Sequence, residues 1–262
     1  MFNRRRKNDQ LARLLQLGFA LALIFLAPVC AGEEKTGKHL FILSGQSNMT
    51  GAVKAAFTAH VEEQYGKENS VVVMRMKSGR GIRFWVADYD QPADRGLTEK
   101  KMTSNGMEYK PLLETALAAA KDESFDTVGF IWMQGESDAN NRLSEVYEES
   151  FLKLVGQLRK DLKREDLYCV IGRINDYARS RPDNEHWKRV REAQVKLGKT
   201  PGNAWIDTDD LNGGDANNPD GDIHFPKDGA AKLGQRFAKK AIELISKRPT
   251  RTANELKTKE EE

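Results

Sequence analysis

The chain has 262 residues, 42 of them Lys or Arg and 39 Asp or Glu, with 39% apolar residues and two cysteines. That length suits one domain with a core of its own, and two cysteines exclude a disulfide-framed scaffold, as 21 glycines and 8 prolines exclude a collagenous or low-complexity chain. The formal net charge of +3 does not argue for a nucleic-acid partner, because the excess is gathered at the amino-terminal end.

There, Arg4, Arg5, Arg6 and Lys7 precede an apolar run from Leu14 to Val29, followed by Cys30, Ala31 and the polar Gly32, Glu33 and Glu34. A basic cluster, a short apolar stretch and small residues in that order predict a secretory signal peptide over residues 1–31, with Val29 and Ala31 at the minus-three and minus-one positions of a cut after Ala31. The run falls short of the roughly 20 apolar residues that span a bilayer, so cleavage is expected rather than anchoring, and the protein is read as secreted or periplasmic. Pro28 and Val29 stand where a lipoprotein signal ending at Cys30 needs small residues. Five of the 42 basic and one of the 39 acidic side chains lie in this segment, which leaves 37 against 38. The remaining basic runs, such as Lys188, Arg189 and Arg191, read as solvated helix faces, so neither nucleic acid nor, after signal cleavage, a membrane is expected as a partner. Cys169, among Tyr168, Val170 and Ile171, reads as a core residue without a disulfide partner.

Short apolar runs then alternate with longer stretches of helical period, which predicts a parallel sheet flanked by helices. Strands are expected at Leu40–Leu43, Val71–Met76, Val128–Met133, Leu167–Ile174 and Ala204–Ile206, each nearly all apolar as in strands covered on both faces. Helices are expected at Leu112–Lys121, Leu143–Leu162, Glu185–Leu197 and Lys227–Lys247, the second carrying an apolar stripe through Val146, Tyr147, Phe151, Leu154, Val155 and Leu158. Asp88–Tyr109 is polar and without period, a long connection of the kind used as a lid or binding loop. Residues 249–262, with Leu256 as their one large apolar side chain, read as a disordered charged tail, leaving 32–248 as the folded domain.

Chemistry is concentrated where strands end. In open parallel sheets ligands bind at the carboxyl ends of the strands, and Gly45-Gln46-Ser47-Asn48-Met49 directly follows the first of them. Ser47 there fits a nucleophile, and equally a helix cap; Met49 stands where a Gly-x-Ser-x-Gly elbow needs its second glycine. A serine needs a base, and of His39, His60, His186 and His224 only the last lies in a loop between the final strand and the final helix, in Asp220-Gly221-Asp222-Ile223-His224-Phe225-Pro226. A nearby carboxylate could hold its tautomer and stabilise the imidazolium. Trp132-Met133-Gln134-Gly135-Glu136-Ser137-Asp138 ends the third strand: Gln134 offers amide hydrogens to an oxyanion, and Glu136 can anchor the serine turn. Ser78-Gly79-Arg80-Gly81-Ile82-Arg83-Phe84-Trp85 ends the second, with glycines that let backbone approach a ligand. No Gly-x-Gly-x-x-Gly follows the first strand, which makes a dinucleotide site a poor competitor. Asp207, Asp209, Asp210 and Asp215 lack the spacing of a calcium loop and read as a solvated acidic stretch.

Taken together, Ser44-Gly45-Gln46-Ser47-Asn48-Met49, Gly79-x-x-Ile82-x-x-Trp85, Trp132-x-Gln134-Gly135-Glu136-Ser137-Asp138 and Asp222-Ile223-His224-Phe225 followed by Gly229 and Leu233-Gly234 resemble the SGNH-type hydrolases, in particular the sialate O-acetylesterase and acetylxylan esterase-like group with its SASA domain. The resemblance implies a three-layer α/β/α sandwich around a mostly parallel, flavodoxin-like five-stranded sheet. It implies a serine esterase that removes O-acetyl groups from a carbohydrate, either an acetylated polysaccharide or a sialic acid, with no metal and no cofactor. By the same resemblance Ser47 is the nucleophile, His224 the base, and the N–H of Ser47, the N–H of Gly79 and the side chain of Gln134 the oxyanion hole. Gln46, Glu136, Arg83 and Trp85 then support the site or the substrate. Relatives carry an acid three residues before the histidine, where this chain has Gly221; Asp222 is the expected acid, with Asp220 or a serine–histidine dyad as alternatives. The rival readings are a non-catalytic carbohydrate-binding protein on the same scaffold and a short-chain lipase or thioesterase, the latter disfavoured by polar Arg80 and Arg83.

Overall fold

Five apolar runs pair edge to edge, as their lack of alternation predicts for strands covered on both sides. β1 (His39–Gly45) lies between β2 (Ser70–Met76) and β3 (Thr127–Met133); β3 pairs with β4 (Tyr168–Gly172) and β4 with β5 (Ala204–Ile206), all parallel, in the order β2-β1-β3-β4-β5. The computed structural model describes residues 37–92, 103–177, 180, 182, 184–214 and 221–248. The expected signal peptide, the expected charged tail, residues 93–102 of the long polar connection, Asp215 and Asp220 lie outside the described residues.

β1, β3 and β4 are buried along their whole length, whereas at the edge strand β2 only Ser70 is fully buried. Helices α1 (Gly51–Tyr65) and α6 (Lys227–Ser246) pack on each other over one face. The crossovers α2 (Tyr109–Ala120), α4 (Tyr147–Asp161) and α5 (Glu185–Gly198) cover the other, with the short α3 (Glu136–Asn140) at the sheet's edge. The strand order produces this division when the crossovers share one hand, as parallel connections do: the chain steps outward from β1 to β2 through α1, then back across to β3 and on to β5 through the helices of the opposite face. The result is the three-layer α/β/α sandwich.

Register brings the strand ends level. Gly45 lies opposite Met76 on one side and Met133 on the other, so the turns after β1, β2 and β3 emerge along one edge. Gly45 has φ +142°, and a Cβ on it would stand 1.9 Å from the carbonyl oxygen of Met133, so no other residue fits where the chain leaves β1 for the serine turn. Beneath this edge Trp85 and Trp132 meet edge to face at 5.2 Å, both fully buried. The long helix expected from Leu143 begins instead with a 3-10 turn at Ser144–Val146, and the expected strand at Leu167–Ile174 closes at Gly172. Cys169 is in the core, where burial pushes its thiol up to about 12.

Candidate active site

The turn after β1 is free to do something other than start a helix. Thr50 caps α1, its Oγ1 accepting the N–H of Val53 at 3.3 Å, so Ser47 is not the cap. Ser47 Oγ instead lies 2.9 Å from Nε2 of His224, across 177 positions of sequence. Ser47 is partly exposed and His224 exposed, so the pair opens to solvent at the sheet edge. The other histidines lie elsewhere. His39 Nδ1 meets Thr127 Oγ1 at 2.9 Å at the opposite ends of the strands, His60 is on α1, and His186 Nδ1 meets Ser144 Oγ at 2.7 Å.

The histidine loop is held by its backbone. Asn48 Nδ2 donates to the carbonyl of Ile223 at 2.9 Å and Asn48 Oδ1 accepts the N–H of Phe225 at 3.3 Å. Asn175, just beyond β4, donates to the carbonyls of Asp222 at 3.0 Å and Ile223 at 3.4 Å, and the N–H of Asp222 donates to the carbonyl of Asn212 at 2.9 Å. Asp222 differs from expectation. Its Oδ1 accepts the backbone N–H of His224 at 3.0 Å, an Asx-type turn two residues long, and it is not hydrogen-bonded to the imidazole. Among the described residues no carboxylate is hydrogen-bonded to Nδ1 of His224.

Gln134 also departs from its expected role. It is fully buried, and its Nε2 faces Gln46 Oε1 and the carbonyl of Arg80, each at 3.2 Å, as well as the carboxylate of Asp138. An amide surrounded by three acceptors is an internal strut rather than an open donor. The N–H groups of Ser47 and Gly79 have no acceptor among the described residues, and Gly79 has φ +68°, a conformation glycine adopts readily. Those two amides are therefore open to a ligand at the strand edge.

Two buried carboxylates lie below. Glu136 Oε1 accepts Asn48 Nδ2 at 2.6 Å, so it anchors the serine turn through a side chain and not through that turn's backbone. Desolvation pushes Glu136 up to about 7, opposed by its backbone N–H contacts and Asn48 and reinforced by the nearby Asp138 charge. Asp138 accepts the N–H of Ile82 at 2.9 Å, tying the β2 turn to the β3 turn; desolvation raises it to about 6 against the hydrogen bonds from Gln134 and Ile82. Gln46 Oε1 also accepts the N–H of Ser137 at 3.2 Å. Tyr147 donates to the carbonyl of Gln134 at 2.8 Å, and Gln194 donates to the same carbonyl at 2.7 Å, closing the network from the helix side.

Of the expected supports, Arg83 lies 4.0 Å over the Phe84 ring and donates to Asn105 at 2.9 Å, at the margin of the site. Trp85 is fully buried and belongs to the core, so it cannot touch a substrate. Asn48 and Asp138 lie within the strand-end motifs and Tyr147 in the helix stripe, while Asn175 and Gln194 belong to neither; in each case only the fold shows which partner the polar side chain meets. The described residues of the acidic stretch are paired with arginines: Asp209 with Arg173 and Arg191, each at 2.7 Å, Asp207 with Arg173 at 2.6 Å, and Asp210 with Arg236 at 2.5 Å.

The sequence model of a family described as carbohydrate esterase, sialic acid-specific acetylesterase matches residues 91–243, more than half of the chain. No curated protein matches the sequence. Among solved structures, a protein from Arabidopsis thaliana is 18% identical, with 80% of this chain and 99% of that one covered and a TM-score of 0.57. A carbohydrate acetylesterase from Xanthomonas citri is 16% identical, with 80% and 57% covered and a TM-score of 0.57, so this chain spans little more than half of that protein. Est24, a carbohydrate acetylesterase from Sinorhizobium meliloti, is 16% identical, with 79% and 99% covered and a TM-score of 0.51. At these identities the structures establish a shared fold.

Proposed function

The chain belongs to the sialic acid-specific acetylesterase family of carbohydrate esterases, and from that membership we propose that Ser47 and His224 are the nucleophile and general base of a carbohydrate O-acetylesterase. The observation that carries the assignment is the 2.9 Å contact between Ser47 Oγ and His224 Nε2 on an exposed strand edge. In this reading Ser47 Oγ attacks the acetyl carbonyl while His224 Nε2 takes its proton. The N–H groups of Ser47 and Gly79 receive the oxyanion, and the imidazolium returns its proton to the departing sugar hydroxyl as the carbon–oxygen bond breaks. Water then attacks the acetyl-serine with His224 again as base, releasing acetate and restoring the hydroxyl.

The pair works as a dyad in this proposal, Asp222 acting on the loop's backbone and Gln134 on the floor beneath. The substrate is an acetylated polysaccharide or an acetylated sialic acid. Residues 1–31 are read as a signal peptide cut after Ala31, which puts the enzyme in the periplasm or outside the cell.

A serine-reactive fluorophosphonate tests the nucleophile. Wild-type protein is expected to gain one adduct, mapped to Ser47 by mass spectrometry, and Ser47→Ala none. A folded protein that binds oligosaccharide yet takes up no label would be the non-catalytic binding module instead.

A further inference from the structure

Among the described residues no carboxylate is hydrogen-bonded to the imidazole of His224, so other groups there must keep the base in place. We propose that Asn48 and Asn175 are positioning residues that hold His224 against Ser47 through the backbone of the histidine loop, doing the orienting that a carboxylate on Nδ1 would otherwise do. The proposal rests on the reading of Ser47 and His224 as the reacting pair.

Three observations converge on it. First, the carboxylate nearest in sequence, Asp222, is turned onto the N–H of His224, and Gly221 occupies the position three residues before the histidine. Second, the carbonyl immediately before His224, that of Ile223, receives both Asn48 Nδ2 at 2.9 Å and Asn175 Nδ2 at 3.4 Å, and the N–H immediately after it, that of Phe225, donates to Asn48 Oδ1 at 3.3 Å. One side chain therefore grips the peptide groups on both sides of the base, and that side chain belongs to the residue next to the nucleophile. Third, the amide of Asn48 has one possible orientation, because Glu136 Oε1 at 2.6 Å and the Ile223 carbonyl both require a donor while the Phe225 N–H requires an acceptor.

Burial makes these bonds consequential. Asn48 is 2% exposed and Asn175 1%, so water does not readily replace either amide, and a buried partner left unsatisfied is costly. Asparagine is also the one residue that fits. Aspartate has the same shape but sets an acceptor against two acceptors, and alanine leaves Glu136 Oε1 and the Phe225 N–H without Asn48 and the Ile223 carbonyl with Asn175 alone. Asn175 in turn is fixed from two sides, its Oδ1 accepting the N–H of Tyr177 at 3.1 Å and its carbonyl the indole N–H of Trp187 at 2.6 Å. The clamp thus ties the loops after β1, β4 and β5 to one another at the base.

The decisive experiment reads the imidazole directly. Protein labelled with ¹⁵N-histidine carries four histidines, and the His224 signals are assigned by their loss in His224→Ala. Ser47→Ala is expected to shift the His224 ring resonances in the otherwise wild-type protein, and to produce less than about a third of that change in an Asn48→Asp background. His39, at the far end of the strands, keeps its resonances and so reports an intact fold. In turnover, Asn48→Asp is expected to lower kcat by about 100-fold with KM unchanged, the scale associated with moving a catalytic group by about 1 Å. Should Asn48→Asp fail to fold, Asn175→Ala leaves Asn48 in place and is expected to weaken the coupling in part. A folded variant that keeps the full response of His224 to Ser47→Ala would overturn the clamp, whether or not any acetyl ester is hydrolysed. Absence of that response in the wild-type background would overturn the pairing itself.

Discussion

Glu136 accepts the amide of Asn48 at 2.6 Å through Oε1, while its Oε2 is buried with no hydrogen-bond partner among the described residues. A carboxyl group so placed keeps its proton to higher pH than a free one, burial lifting it from 4.5 to about 7. The folded protein thus binds a proton that the unfolded chain releases above about 4.5, so the stabilisation is complete below that pH and is lost as the pH rises through about 7. Asp138, raised from 3.8 to about 6, acts in the same direction. Urea unfolding between pH 4.5 and 8 is expected to show stability falling with pH, and Glu136→Gln, which still offers Asn48 an acceptor, to remove up to about 3 kcal/mol of that fall. Equal pH dependence in the two proteins would contradict this account of Glu136.

Gln134 separates a structural role from a catalytic one. Its amide is enclosed by Gln46, Arg80 and Asp138, so Gln134→Ala takes a buried donor from all three, leaving Gln46 with the N–H of Ser137 and Asp138 with that of Ile82. Denaturant melts are expected to show a loss of about 1–3 kcal/mol in stability. Steady-state kinetics are expected to show a smaller effect on kcat than the roughly 2.7–4 kcal/mol that removal of an oxyanion donor costs. The reverse pattern would return Gln134 to the oxyanion hole.

The architecture was legible because strands buried on both faces have no choice but to be apolar: the runs at 40–43, 71–76, 128–133 and 204–206 fall within β1, β2, β3 and β5. The meeting of Ser47 with His224 was legible for a related reason, since strand-end loops come together at one edge whatever their separation in sequence. α1 had no predicted range, because its buried residues Val53, Phe57 and Val61 are set among alanines and form no marked stripe. What sequence could not supply was where a polar side chain points. Asp222 and Gln134 sit where the motifs place them, yet each is captured by a nearer partner, the N–H of His224 and the carboxylate of Asp138. Trp85 likewise occupies its motif position while its ring packs into the core on Trp132.

Gly45 is where the serine turn depends most on a single residue type. A Cβ there would lie 1.9 Å from the Met133 carbonyl oxygen at φ +142°, and the backbone of the paired strand β3 cannot give way. Gly45→Ala is expected to abolish the cooperative thermal transition. Gly51→Ala, in the first turn of α1 with nothing within 4 Å of the added methyl, is expected to be neutral or to raise stability by up to about 1 kcal/mol. Calorimetry of the two variants checks both halves.

Trp85→Ala distinguishes core from substrate platform. The side chain is fully buried against Trp132, so its loss is expected to cost about 3–5 kcal/mol in unfolding experiments. KM for an acetylated carbohydrate is expected to stay within a factor of about two at a temperature where the variant remains folded, a difference of about 0.4 kcal/mol. A large rise in KM with stability unchanged would place the indole in the binding crevice.

Acetate release from acetylated polysaccharides and acetylated sialic acid, by wild-type protein and by folded Ser47→Ala and His224→Ala, tests the central claim most directly. Wild-type protein is expected to release acetate from at least one of these substrates, with each substitution lowering kcat by at least about 1,000-fold, as the loss of a nucleophile or its base does. Acetate release that persists undiminished in either variant would contradict the assignment of Ser47 and His224 as the reacting pair.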